Sequence, residues 1–211
     1  IHRIRRKGKD RLMSRYFVVA LSLAASLFAN AALADSHEEK LRVLLPGVQS
    51  ALMEQGVVKT LRNYNETRRN ISRADIDGLE AIWQAELNSA NRPLVTGIVR
   101  NVTALRLRKV IRDTGRVVMQ INLVDARGLS IAQTTVFPQI WQGTTEKLMH
   151  VATANSNMLR IGDIESDGTG QSRQFEAAFP VADPDTGALI GAVILVVDAD
   201  ALEEAYPNRS F

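Results

Sequence analysis

The chain contains no cysteine and few aromatic residues: two tryptophans, three tyrosines and six phenylalanines in 211 residues. The missing thiols exclude disulfides, thiol catalysis, Cys-ligated zinc and iron–sulfur clusters. An exported domain would have to be held by burial alone. Histidine is almost as scarce, with only His2, His37 and His150. His150 is the only one expected well inside the folded body, and it reads as a helix-surface residue. No local spacing offers a nucleophile on a strained turn with an acid or base beside it. The sequence therefore reads as non-enzymatic, with no cofactor. After residue 34 no apolar run approaches the roughly 20 residues of a membrane span.

What is present begins with a leader. Residues 1–12 are a basic stretch with no initiator methionine, read as upstream and non-native. From Met13 the pattern is that of a secretory signal: Arg15, an apolar run over Tyr16–Phe28, then Ala32-Leu33-Ala34 as a small-residue cleavage site. Cleavage after Ala34 and release to the periplasm is the expectation, with retention as a membrane anchor as the rival. The leader carries seven of the 26 basic residues and one of the 23 acidic ones. The remaining 177 residues hold 19 basic and 22 acidic side chains, net −3. The basic pI belongs to the precursor, and nothing here supports nucleic-acid binding.

The remainder is long enough for one domain, residues 35–211. It changes periodicity near Gly115. Over residues 35–115 the apolar residues recur at helical spacing. Leu41, Leu44, Leu45, Val48 and Leu52 mark a first helix, expected to break near Pro46-Gly47. Val57, Val58, Leu61 and Tyr64 mark a second. Ser72, with Asp75 three residues on, is a capping-box start for a third, striped by Ile76, Leu79, Ile82, Trp83 and Leu87. After Asn91-Arg92-Pro93, the residues Leu94, Ile98, Val102, Leu105 and Ile111 suggest one further helix, stopped by Gly115. Arg68, Arg69 and Arg73 read as a solvated helix face.

From 116 to 205 the pattern is strand-like. Strands are expected over 116–124, 129–136, 158–165, 173–181 and 189–197, with helical stretches in 137–155 between the second and third. Asp125–Gly128, Ser166–Gly170 and Asp183–Gly187 carry turn chemistry. The last strand is apolar almost throughout, as a central strand covered on both faces would be. Asp198 is placed to cap a short terminal helix. Helices followed by antiparallel strands predict an α+β fold.

In residues as well as layout, the chain resembles the extracytoplasmic Cache (PDC, PAS-like) family of sensor domains, over about Leu52 to Leu202. Val117–Asp125 followed by Gly128-Leu129-Ser130-Ile131-Ala132-Gln133-Thr134 is similar to the family's first hairpin. Trp141-Gln142-Gly143 with Lys147 resembles the segment Tyr-Trp-Gln-Gly-Asp-Glu-x-Lys of a single-domain branch. Phe179-Pro180-Val181, Asp183-Pro184 and Gly191-Ala192-Val193 through Asp198 resemble its final hairpin. Thr144-Thr145 stand where that branch carries Asp-Glu, and Ile140 where it carries Tyr. A carboxylate pair for a cation or amine is thus missing.

The resemblance implies a five-stranded antiparallel sheet with a helical crossover between the second and third strands, and a small-molecule ligand beneath that crossover. Trp141 is then either a pocket wall or a packing plug. Gln142 and Lys147 flank it. Gln120 and Asn122 share one strand face by period two, which is either the ligand side or solvent. Thr135 and Arg173 are candidates for a polar rim. Phe175 and Phe179 read as core. Most members of the family signal through a membrane helix to a kinase or chemoreceptor. This chain shows none after its sheet, which leaves a separate partner such as a membrane sensor kinase, chemoreceptor or transporter. An envelope protein–protein interaction module with a filled pocket is the alternative.

Overall fold

The structure, a computed structural model, describes residues 37–143, 158–166 and 172–207. The leader, Lys147, His150 and most of the expected Ser166–Gly170 loop lie outside the described residues.

The fold is α+β. Helices α1 (residues 37–52), α2 (Gln55–Thr67), α3 (Arg73–Leu87), α4 (Pro93–Val99) and α5 (Val102–Asp113) precede the sheet, and α6 (Ala199–Ala205) follows it. The strands are β1 (Val118–Asp125), β2 (Ser130–Gln133), β3 (Arg160–Ile161), β4 (Glu165–Ser166), β5 (Arg173–Ala182) and β6 (Leu189–Asp198). Every pairing is antiparallel, in the order β2-β1-β6-β5-β3, with β4 also on β5. The expected third strand is thus two short pieces, and the second ends at Gln133 rather than Val136.

β6 lies between β1 and β5 and is buried along nearly its whole length, which accounts for its unbroken apolar sequence. One face of the sheet presents Ile121, Leu123, Phe175, Phe179, Val193, Leu195 and Val197 to a large core. Leu41, Leu44, Leu45, Val48 and Leu52 of α1 join that core, with Val57, Val58 and Leu61 of α2, Leu107 and Val110 of α5, and Leu202 of α6.

Two helix boundaries differ from the sequence expectation. α1 runs straight through Pro46-Gly47, with both residues on its exposed side. A proline inside a helix costs about 3 kcal/mol. Each buried Leu or Val contributes roughly 1.5–3 kcal/mol, so the stripe that continues to Leu52 outweighs it. The single helix expected after Pro93 is instead two. Asn101 caps α5 by accepting from the Ala104 N–H, and its Nδ2 donates to the carbonyls of Gly97, Ile98 and Ile131. One carboxamide thereby ends α4, starts α5 and ties the corner to β2. The Ser72–Asp75 capping box and the Asp198 cap form as the sequence indicates.

α2 fastens two turns at the same end of the sheet. Arg62 forks onto Asp183 at 2.6 and 2.7 Å and reaches Asp185 at 2.5 Å. Asn65 donates to the Ile190 carbonyl and accepts from the Ala126 N–H. Arg68 lies on the Tyr64 ring and pairs at 2.6 Å with Asp125, whose side chain is fully buried and also accepts from the N–H groups of Arg127 and Leu129. Arg68 is therefore a structural partner of the first turn and not a solvated cation. Arg69, paired with Glu66, and Arg73, paired with Asp77, keep that exposed role.

Two predictions follow from this clamp. Gly191 sits where α2 presses on β6; an added Cβ would overlap the Val124 carbonyl oxygen and stand 2.7 Å from Leu61 Cδ2. Gly191→Ala should lower stability in urea unfolding by about 1–3 kcal/mol, and an unchanged midpoint would contradict that packing. The Arg62 hydrogen bond holds the Asp183 carboxyl down, from 3.8 to about 2. A depressed folded-state value stabilises above the unfolded one and loses that contribution as pH falls toward the folded one. The melting temperature should therefore fall between about pH 4 and pH 2, with a shallower slope in Asp183→Asn; equal slopes would show that the clamp carries no proton linkage.

Candidate functional site

The opposite face of the sheet is built differently. Asn122 pairs across to Ile194 of β6 and to Gln133 of β2; Val124 pairs with Ala192 and Ser130, and Gln120 with Val196. Beyond β6 the same face continues through Glu176, Ala178 and Pro180 of β5. A small apolar cluster of Val124, Ala192 and Ile194, with Met158 and Ala178 against it, marks its centre.

Ser130 and Gln133 are three residues apart, so simple alternation would send them to opposite faces. A register shift between Leu123 and Val124 brings both to this face. Gln133 is fully buried and fully engaged. Its Nε2 donates to Ser130 Oγ at 3.0 Å and to the Gln139 carbonyl at 3.5 Å, and its Oε1 accepts from the Phe137 N–H at 3.0 Å. Asn122, directly across, is equally buried, yet neither its Nδ2 nor its Oδ1 has a hydrogen-bond partner among the described residues. A buried polar group left unpaired costs about 1–3 kcal/mol, and native interiors seldom leave one without a purpose.

After β2 the chain runs through residues 137–142 along α3, which holds it by a ladder of side-chain contacts. Trp83 Nε1 donates to the Phe137 carbonyl, and Gln84 Nε2 to the Pro138 carbonyl. Glu80 Oε2 accepts from the N–H groups of both Ile140 and Trp141, each at 3.1 Å. Ile140 and Leu129 are buried with Ile76, Trp83, Val95 and Ile98 in a second core cluster, and Trp141 packs at its edge. The Trp141 indole N–H donates to the Arg127 carbonyl at 3.0 Å, and the Arg73 guanidinium lies 4.0 Å over its ring. Leu129 and Trp141 form a β-bridge, and the Gln142 N–H donates to the Gly128 carbonyl. A side chain at Gly128 would strike the Gln142 carbonyl, and one at Gly143 the Trp141 ring.

The expected ligand residues are thus spread over the molecule. Gln120 and Asn122 do share one face. Trp141 is half-buried at the end of that sheet, with its single donor already used, and Gln142 sits beside it with Nε2 on the Gln139 carbonyl. Thr135 is exposed on the bend after β2. Arg173 is on the helix-covered side, where it forks onto Asp200 and Glu203 of α6; its backbone N–H and guanidinium hold the Asp200 carboxyl below the usual carboxylate range. His37 is buried against Phe175, with Nε2 2.9 Å from Glu203 Oε1. Gln133, Ser130 and Glu80 escaped the sequence reading. The first two are hidden by the register shift, and Glu80 looks like any exposed-face residue of α3. A cavity of about 730 Å³ lies elsewhere, between the end of α2 and the outer face of α3, with Arg69, Asp75, Leu79 and Ile82 in its walls. Among the described residues no group of three or more His, Asp or Glu is arranged to hold a metal ion, and no helix is long and apolar enough to cross a membrane.

No family model matches the sequence. No curated protein matches it either. Among solved structures, the extracellular domain of vpHK1S-Z8 is similar at 15% identity and a TM-score of 0.42, over 89% of this chain and 62% of that one. The sensor domain of the histidine kinase DctB of V. cholerae is similar at 18% identity and a TM-score of 0.35, over 86% and 62%. The ligand-binding domain of the amino acid chemoreceptor PctC of Pseudomonas aeruginosa PAO1, in complex with GABA, is similar at 16% identity and a TM-score of 0.35, over 69% and 59%. The chain spans about three-fifths of the length of each.

The α3 ladder generates its own prediction. Glu80→Ala leaves the N–H groups of Ile140 and Trp141 without an acceptor. It should cost about 1–3 kcal/mol and make the tryptophan fluorescence redder and more accessible to iodide. Unaltered emission and quenching would show that Glu80 does not hold the segment.

Proposed function

We propose that the chain is an exported, Cache-like ligand-binding domain of the sensor type. In this reading it binds a small molecule, without chemistry, on the sheet face that carries Asn122, with segment 137–142 at its margin. The single observation that carries it is the fully buried Asn122 carboxamide, unpaired among the described residues beside a fully paired Gln133. A guest that supplies a donor and an acceptor there removes the unpaired cost on binding, so part of the binding free energy is already stored in the empty domain.

The sequence pattern of the last hairpin, the export signal and the antiparallel sheet with β6 at its centre support the same reading. Trp141 then serves as a fastener, because its N–H is committed to Arg127 and its ring to Arg73. Ligand occupancy would act on segment 137–142 through Gln133, which accepts from the Phe137 N–H, and from there on α3 through Trp83, Gln84 and Glu80. The readout is a population shift of α3, passed in the periplasm to a membrane sensor kinase, chemoreceptor or transporter.

The test is a thermal-shift screen of the full chain against organic acids, amines, amides, nucleobases and metal ions. A ligand at about 100 times its dissociation constant adds roughly 2.7 kcal/mol of stability, and Asn122→Leu should abolish that gain without unfolding the domain. Flat curves throughout would replace this reading with that of an envelope interaction module whose interior is filled.

A further inference from the structure

We propose that the ligand taken at Asn122 is a neutral, planar molecule presenting a donor and an acceptor side by side, as an amide, a lactam or a nucleobase edge does. The inference rests on the ligand-binding reading above and names the chemistry of that site.

Three observations carry it. The first is that both atoms of the carboxamide are unpaired. A carboxylate could use only Nδ2 and an ammonium only Oδ1, and each would leave the other atom buried and unsatisfied. A ligand with adjacent N–H and C=O, or N–H and ring nitrogen, closes two parallel hydrogen bonds with the carboxamide, the pairing by which Asn reads adenine in nucleic acids.

The second observation is the company Asn122 keeps. Its cross-strand neighbours are Ile194 and Gln133, with Val124 and Gln120 along β1 and Val196 on β6. Gln133 is already committed to Ser130, Phe137 and Gln139. The described ionisable strand side chains on this face, Glu176 of β5, Arg160 of β3, Glu165 of β4 and Asp198 at the end of β6, are exposed or half-buried and lie beyond β6 or at its far end. An ionised group brought beside Asn122 would lose its water without gaining a described counter-charge, at a cost of several kcal/mol.

The third observation is where the arginines went. Arg62 is on Asp183 and Asp185, Arg68 on Asp125, Arg173 on Asp200 and Glu203, and Arg108 on the carbonyls of Thr134 and Val99. These four forks, which could recognise a carboxylate, fasten helices to the opposite face and the turns, and Arg160 on this face lies beyond β6. A bidentate amide set beside Val124, Ile194 and Val196 suits a ring or a planar amide better than a zwitterion.

Isothermal titration and thermal shift on the full chain decide the matter, with nicotinamide, uracil and adenine as neutral probes, and succinate, glutamate and 4-aminobutyrate as charged ones. The expected result is that at least one neutral probe binds and raises the melting temperature. Asn122→Leu should then weaken that probe roughly ten-fold or more. Asn122→Asp, which keeps the shape and loses the donor, should weaken it likewise. Binding of a charged probe that Asn122→Leu abolishes would overturn the neutral class and leave the site standing. Binding that is the same in the parent and in Asn122→Leu would overturn Asn122 as the contact. Flat curves with all six probes would overturn both the class and the site.

Discussion

A strand that is apolar on both faces must be covered twice, and the rest of the molecule is arranged around that demand of β6. One side is met by α1, α2, α5 and α6, whose leucines and valines form a continuous core with Phe175, Phe179 and the inward residues of β1 and β6. The cover is positioned by charge as well as by burial. Arg62, Asn65 and Arg68 lie at successive turns of α2 and grip the turn after β5, the start of β6 and the turn after β1. With those turns fixed, the register of β1 against β6 is fixed, and with it the position of Asn122.

The other side of β6 departs from the rule that governs the first. Its apolar centre is small, and beside it stands a carboxamide that is buried without a partner among the described residues. An isosteric leucine would remove the polar cost and continue the apolar surface. The asymmetry between Gln133, with every useful atom engaged, and Asn122, with none, argues that the second carboxamide is kept for a partner outside the chain. The neighbouring segment 137–142 is suited to report on that partner because it is hydrogen-bonded at one end to the sheet through Gln133 and along its length to α3. A change on one side of this short span has a direct mechanical route to the other.

Much of the fold was legible because it depends on local chemistry. The capping box at Ser72, the Gly115 stop, the alternation in β1 and the unbroken apolar run of β6 each have one strong structural solution. The failures all involve a distant partner. Pro46-Gly47 looked like a break because the core that keeps α1 helical through it lies far along the chain. The helix boundary at Asn101 gives no local sign, because one of the carbonyls that its side chain binds, that of Ile131, is 30 residues away. Arg68 passed for a solvated cation because Asp125 is 57 residues away. The site was half visible: period two put Gln120 and Asn122 together, but the register shift that adds Ser130 and Gln133 leaves no trace in alternation. Arg173, a candidate for the polar rim, lies instead on the helix-covered side with α6, while Phe175 beside it is core as its strand pattern indicates.

The most direct test of the account is a crystal structure of the protein grown with a ligand recovered from a screen, refined far enough to assign the Asn122 side-chain amide. The account predicts density for the guest within hydrogen-bond distance of both Nδ2 and Oδ1 of Asn122. Finding both atoms hydrogen-bonded to protein groups, with the guest bound elsewhere or not at all, would contradict it.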